Sequence, residues 1–226
     1  MRVKEAGFKN VFKVDGKFAT INLVPGFRSS NEDLVKVGDK EYRIWDCFTS
    51  KPAAAFKKGL KAFPLEEGFV IIYLGLAEAK TASFFSDIIG KGGLIYGVEL
   101  SERSLREAVP VCYKRGNIIP ILGDARRPEL YENSILDKVD CLYIDVASPD
   151  QVAITVRNAQ KFLKQDGWIM ISIKSQSIDV VKPPKQVYKE CLQEFERRFE
   201  IIENVELDPY EKAHLFVIMK KHERNG

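Results

Sequence analysis

Two hydrophobic rhythms divide the chain. Over VFKVDGKFATINLV (11–24) apolar and polar positions alternate on either side of Asp15-Gly16. A period of two is that of a half-buried strand, and Asp-Gly tolerates the positive φ of a tight hairpin turn. Residues 36–45, KVGDKEYRIW, repeat the scheme around Gly38-Asp39. Together these segments predict a small β-rich unit over residues 1–50.

From Lys51 the texture changes, and residues 51–226 read as a second unit. KPAAAFKKGLKAF is Ala-rich, with Pro52 at a first helical position and Gly59 near the helix end. FVIIYLG (69–75) is a continuous apolar run closed by Gly, the mark of a central parallel strand. A helix over 81–90 follows, then LIYGVEL (94–100), a helix capped by Ser101, and the strands NIIPIL (117–122), CLYIDV (141–146) and GWIMISIK (167–174). Helices are predicted over 150–164 and 185–198, and FEIIENVEL and AHLFVIMKK form a closing strand pair joined by residues 208–212. Strand–helix alternation of this kind specifies an α/β fold: a Rossmann-like, doubly wound sheet with helices on both faces.

Composition narrows the function classes. With 45% apolar and 30% charged residues, the chain buries a core and is not disordered. No stretch approaches eighteen consecutive apolar residues, and MRVKEAGFKN lacks the apolar segment of a signal peptide, so a cytoplasmic protein without membrane contact is expected. Cys47, Cys112, Cys141 and Cys191 stand apart, with no histidine at ligand spacing; they read as buried reduced thiols and not as a metal site. Residues 1–55 hold ten Lys/Arg against seven Asp/Glu, and residues 56–226 hold twenty-five of each. So weak a basic excess does not grip nucleic acid unaided.

In a doubly wound sheet, ligands sit beyond the carboxyl ends of the strands. Those ends fall at Gly75, Glu99, Gly123-Asp124, Asp145 and Lys174. Acidic groups there are costly to bury unless a ligand or partner satisfies them. The first turn, GLAEAKT (75–81), is neither GxGxxG nor a Walker loop, and Glu78 would repel a phosphate. A cationic, phosphate-free cofactor fits better. Glu99, 24 residues after Gly75, is spaced to meet a ribose diol; Asp124 can accept from an adenine amine; Asp145 supplies negative potential beside a sulfonium. These features point to S-adenosylmethionine.

The segments NLVPGF (22–27), TSKPAAAFKKGLK (49–61), VIIYLG (70–75), YGVELSER (96–103), NIIPILGDARRP (117–128), VDCLYIDVASPDQ (139–151), IKSQSID (173–179) and LDPYEKAH (207–214) resemble the fibrillarin family in its archaeal form. The resemblance runs over most of the chain in order. It implies an S-adenosylmethionine-dependent RNA 2′-O-methyltransferase that acts on rRNA and tRNA within a box C/D guide-RNA ribonucleoprotein. The implied partners are the guide RNA, a coiled-coil scaffold protein and a kink-turn-binding ribosomal-protein homologue. By position it implies a catalytic set of Lys51, Asp145, Lys174 and His214. It also implies cofactor contacts from Tyr73, Gly75, Ala79, Thr81, Glu99, Leu100, Asp124, Ala125, Asp145 and Gln151. The strand-end argument selects Asp145 and Lys174 independently; Lys51 and His214 come from the resemblance alone.

A ribose 2′-hydroxyl is a poor nucleophile until its proton is accepted or partly withdrawn. A lysine serves as base only when neutral. Lys174 is therefore the closest candidate base, with Asp145 orienting it and Lys51 and His214 positioning substrate. The alternative is that the lysines only orient the hydroxyl and its phosphate. Arg126, Arg127, Lys182 and Lys185 are candidate phosphate contacts. Against the family pattern the cofactor loop departs, with Leu76 larger than usual and Ala79 where a glycine is more usual. If Ala79 needs positive φ, it costs about 1 kcal/mol or more. A chain of this fold with impaired cofactor binding would be a structural subunit only.

Overall fold

A computed structural model describes residues 1–221. The last five residues of the predicted second unit lie outside the described residues. The N-terminal sheet contains β1 (Val3–Phe8), β2 (Val11–Val14), β3 (Lys17–Ile21), β4 (Leu34–Val37) and β5 (Lys40–Ile44), ordered β1-β2-β3-β5-β4 and antiparallel throughout. Asp15 and Gly16 both take positive φ (47° and 87°), as the predicted β2–β3 hairpin turn requires. Strand β1 is absent from the sequence prediction. VKEAGF has no buried residue and pairs with β2 across an irregularity between Glu5 and Phe8, so its side chains never alternate cleanly.

The second sheet runs β11-β12-β10-β9-β6-β7-β8. Its strands are β6 (Val70–Leu74), β7 (Leu94–Glu99), β8 (Ile118–Leu122), β9 (Val139–Ile144), β10 (Leu163–Lys174), β11 (Phe199–Glu206) and β12 (His214–Lys221). Strands β6 to β10 are parallel, whereas β12 enters antiparallel between β10 and β11. The helices are α1 (Lys51–Lys57), α2 (Lys80–Ile89), α3 (Glu102–Arg115), α4 (Gln151–Phe162), the single turn α5 (Ser175–Ile178) and α6 (Pro184–Glu196). The observed fold class is the expected one. Gly59 takes φ 95° just beyond the end of α1, and Ser101 caps α3 by accepting from the Ser104 N–H. Strand β10 starts four residues earlier than predicted. Its pairing with β9 breaks between Leu163 and Trp168, around Asp166 at positive φ, and no apolar period marks that stretch.

The sheet buries both faces. Ile71 and Tyr73 of β6 pack with α1, α2 and α3 on one side, and Ile72 and Leu74 pack with α4 and α6 on the other. The N-terminal sheet joins the first of these cores. Trp45 stacks on Phe84 (4.8 Å between centroids) and meets Phe56 edge-on. Beside this apolar seam, Arg43 on β5 is fully buried between Glu32 (2.6 Å) and Asp87 of α2 (2.8 Å), and Arg115 of α3 also bonds Asp87. All four cysteines are free; three are buried and Cys47 is only half-buried. Burial holds the Cys112 and Cys191 thiols up at about 11, so they stay protonated.

Candidate active site

The parallel strands deliver their carboxyl ends to one edge. There β6 breaks into a loop whose conformation is unusual for its sequence. Gly75, Ala77 and Ala79 all take positive φ (85°, 48° and 60°). Gly75 is required twice over, because a Cβ would also lie 3.0 Å from the Asp145 carbonyl oxygen. The expectation for Ala79 holds, and Ala77 shares the same left-handed geometry. The Ala77 N–H is held by Glu99 Oε2 at 2.8 Å. The enlarged Leu76 is accommodated: it is buried against Gly97, where any Cβ would lie 2.6 Å from its Cδ2. Glu78 and Lys80 pair with each other at 3.6 Å.

Two cavities flank this loop, of about 410 and 490 Å³, and share Gly75, Ala77 and Asp145. Glu99, Leu100, Asp124, Ala125 and Lys174 line the first. Tyr73, Thr81 and Lys51 line the second, with Glu32 reaching in from the N-terminal unit. Glu99 uses its second oxygen on the Ser101 N–H, 2.8 Å away. Asp124 is gripped by Arg126 through both oxygens (2.7–3.0 Å), and these side-chain hydrogen bonds lead the causes that hold its carboxyl below the ordinary value. Burial, and then the Asp145 charge, pushes the Tyr73 phenol well above its ordinary value. Tyr73 is thus a neutral polar wall. Thr81 faces Ser50, their hydroxyls 3.1 Å apart.

At the junction of the cavities Asp145 stands between two ammonium groups. Lys51 Nζ, from the first turn of α1, bonds Oδ2 at 3.1 Å. Lys174 Nζ, from the end of β10, lies 2.8 Å from Oδ1, while its hydrogen bond goes to the Asp145 backbone carbonyl at 2.7 Å. Asp145 is itself pinned by its N–H to the Leu74 carbonyl (2.9 Å). All three side chains are under one-fifth exposed, so their charges interact with little screening. His214 is not in that cluster. It faces Lys174 in the β10–β12 register, with Nδ1 2.7 Å from the Lys212 carbonyl. Because a carbonyl only accepts, Nδ1 is the donor in that contact.

Three positions differ from the sequence reading. Ala79, expected to contact cofactor, is fully buried and lines neither cavity. Gln151, expected to contact cofactor, is fully buried and lines neither cavity. Its amide bonds the Val146 and Ser172 carbonyls and the Lys174 N–H instead. Glu211, not singled out in the sequence, approaches Lys51 Nζ to 3.9 Å. It lies inside the LDPYEKAH segment, and only the return of β12 beside β10 brings it there.

Three of the four candidate phosphate contacts are already paired with carboxylates. Arg126 is paired with Asp124, Arg127 with Glu129 at 3.6 Å, and Lys182 with Glu190 at 2.7 Å, while Lys185 is exposed on α6.

Comparison with known proteins decides the family. The fibrillarin family model matches residues 3–223. The chain belongs to the fibrillarin family. A relative from Thermococcus gammatolerans, named fibrillarin-like rRNA/tRNA 2′-O-methyltransferase, is 48% identical over 98% of this chain and 100% of its own. Among solved structures, Aeropyrum pernix fibrillarin with natively bound S-adenosyl-L-methionine superposes with TM-score 0.89 at 44% identity, covering 97% of this chain and 98% of that one. Fibrillarin from a fibrillarin–Nop5p complex superposes with TM-score 0.86 at 34% identity, over 94% and 98% of the two chains. The fold, the strand-end acids and the Lys51–Asp145–Lys174 cluster therefore occur in a fibrillarin-family chain that matches these relatives over nearly their whole length.

Proposed function

We propose that this fibrillarin-family chain transfers a methyl group from S-adenosylmethionine to ribose 2′-hydroxyls of rRNA and tRNA at guide-selected sites. The observation that carries the reading is the Lys51–Asp145–Lys174 cluster at the mouth shared by two cavities. The residues fit the cofactor. The first cavity offers Glu99 to a ribose diol, Asp124 to an exocyclic amine, and Leu100 and Ala125 to a planar base. The second offers a side-chain-free backbone at Gly75, with Ala77, Thr81 and Tyr73, to the amino-acid end. When bound, S-adenosylmethionine supplies a methyl group made electrophilic by its sulfonium.

The protein's own part is positioning and proton handling. Asp145, fixed through its backbone to β6, holds Lys174 by both a carboxylate oxygen and its carbonyl. With the cofactor bound, Lys174, having first released its own proton to solvent, would take the hydroxyl proton as the oxygen–methyl bond forms and the sulfonium–methyl bond breaks to leave a neutral thioether, and Asp145 would stabilise the resulting ammonium. Lys51, steadied by Asp145 and Glu211, and His214 through Nε2 orient the ribose. Lys174→Ala should lower kcat by about 10²–10⁴-fold with cofactor affinity unchanged. Lys174→Arg discriminates between the two roles, because a guanidinium keeps the charge and cannot give up its proton. Turnover retained in Lys174→Arg would make the lysine an orienting group only.

RNA handling is shared with partners. Near-neutral charge over residues 56–226 suits a catalytic subunit in a cytoplasmic ribonucleoprotein whose guide RNA, coiled-coil scaffold and kink-turn-binding protein hold the substrate. The fibrillarin–Nop5p complex supports the scaffold. Arg126, Arg127, Lys182 and Lys185 are the phosphate contacts in this reading; the first three exchange a carboxylate for a phosphate when RNA arrives. Among the described residues no helix is long and apolar enough to cross a membrane.

A further inference from the structure

The backbone ladder between β9 and β10 ends at Ile144 and Ile171. Beyond it the two strand ends diverge, one carrying Asp145 and the other Lys174. Gln151 fills that gap. It opens α4, is fully buried, and spends its whole side-chain amide on backbone. Nε2 donates to the Val146 carbonyl (2.8 Å) and the Ser172 carbonyl (3.0 Å), and Oε1 accepts from the Lys174 N–H (2.9 Å).

This pattern has a meaning in sheet geometry. In a parallel pair, one residue donates its N–H to one carbonyl of the neighbouring strand and accepts from the N–H two residues further on. The Gln151 amide does this with Ser172 and Lys174, so it stands opposite Ile173 as a strand residue would. Its second N–H ties the end of β9 to the same point. A glutamine amide has two donors and one carbonyl, and no other side chain of this length offers both.

We infer that Gln151 is a positioning residue for methyl transfer: it supplies the missing rung that holds Lys174 and Asp145 in register where their strands separate. The inference rests on the catalytic reading of those two residues given above. It assigns Gln151 no contact with cofactor or RNA.

Gln151→Glu keeps the shape and the acceptor for the Lys174 N–H, but the ionised carboxylate has no donor for either carbonyl. Burial favours the protonated carboxyl, which regains one donor. In the complete guide-RNA complex, kcat of Gln151→Glu should fall by about 10–10²-fold, since small misplacements of reacting groups cost that much. The dissociation constant for S-adenosylmethionine and the KM for substrate RNA should stay within about twofold of the wild-type values. The deficit in kcat should narrow as pH is lowered from about 9 to about 6, as the substituted carboxyl gains its proton. A wild-type kcat at every pH would overturn the inference. So would a loss of cofactor affinity that accounts for the whole effect, which would make Gln151 a cofactor contact. Should the variant fail to fold, amide hydrogen exchange of wild-type Lys174 decides the matter: protection comparable to the β10 interior is expected, and exchange as fast as an unpaired amide contradicts it. Failure of the wild-type complex to methylate RNA would instead overturn the catalytic reading, and the exchange measurement would still report on the rung.

Discussion

At the residue scale, the cofactor loop departs most from local backbone preference. Ala77 and Ala79 carry left-handed backbone that costs an L-residue roughly 1–2 kcal/mol each. The two differ in surroundings. Ala79 is buried, so glycine there would trade strain for a lost methyl contact; Ala77 is exposed and would not. Ala77→Gly should therefore stabilise the protein by about 0.5–1 kcal/mol in denaturant unfolding, although the same change at Ala82 inside α2 should destabilise it by about as much or more. Calorimetric titration should show S-adenosylmethionine binding to Ala77→Gly at least as tight as to wild type. Weaker binding would mean that the alanine methyl itself touches the ligand. Gly75→Ala has no such relief and should abolish binding, because its Cβ would meet the Asp145 carbonyl.

At the element scale, opposite charges are buried at the seam where β5, α2 and α3 meet. Burial alone would raise the Glu32 carboxyl, but the Arg43 charge and hydrogen bonds from Arg43, Ser29 and Ser30 outweigh it and bring it to about 2. A carboxyl depressed on folding adds stability above its unfolded value near 4.5, and that stability is lost as pH falls from there towards 2. Glu32→Gln should thus unfold more easily than wild type at pH 7, and the gap between their urea midpoints should close as the pH is taken down to about 2. A gap independent of pH would show that Glu32 acts by packing alone. Arg43→Leu leaves the buried Glu32 without its guanidinium and Asp87 with Arg115 alone, and should cost about 3–5 kcal/mol. Much of this arrangement was legible in sequence. The apolar runs that became β6, β7, β9 and β10 are buried on both faces, and that continuity announces a parallel core. Strand β1 was not legible because its exposed, bulged sequence carries no period. The Glu32–Arg43–Asp87 cluster was equally hidden, since its members lie 11 and 44 residues apart and meet only through tertiary packing.

On the scale of the whole molecule, the two units share one core, with Phe18 and Trp45 packed among Phe56, Phe84 and Phe85. The division at residue 50 is therefore proposed as one of sheets and not of stability. Near- and far-ultraviolet signals should report a single unfolding transition, and two separated transitions would contradict that shared core. The same packing explains which parts of the site the chain revealed by itself. Glu99, Asp124, Asp145 and Lys174 were readable because each closes a strand of one sheet. Lys51 arrives on a helix that follows the N-terminal unit, and His214 on a strand inserted antiparallel beside β10. Neither placement is encoded in local period, so for these two the family resemblance had to stand in for geometry. The most direct measurement is transfer of labelled methyl from S-adenosylmethionine to a guide-matched RNA by the complex reconstituted with this chain. The substrate should be compared with one carrying a 2′-deoxy target nucleotide. Label on the target ribose, absent from the deoxy substrate and from Lys174→Ala, is the predicted result; label on the deoxy substrate, or none despite bound cofactor, would contradict it.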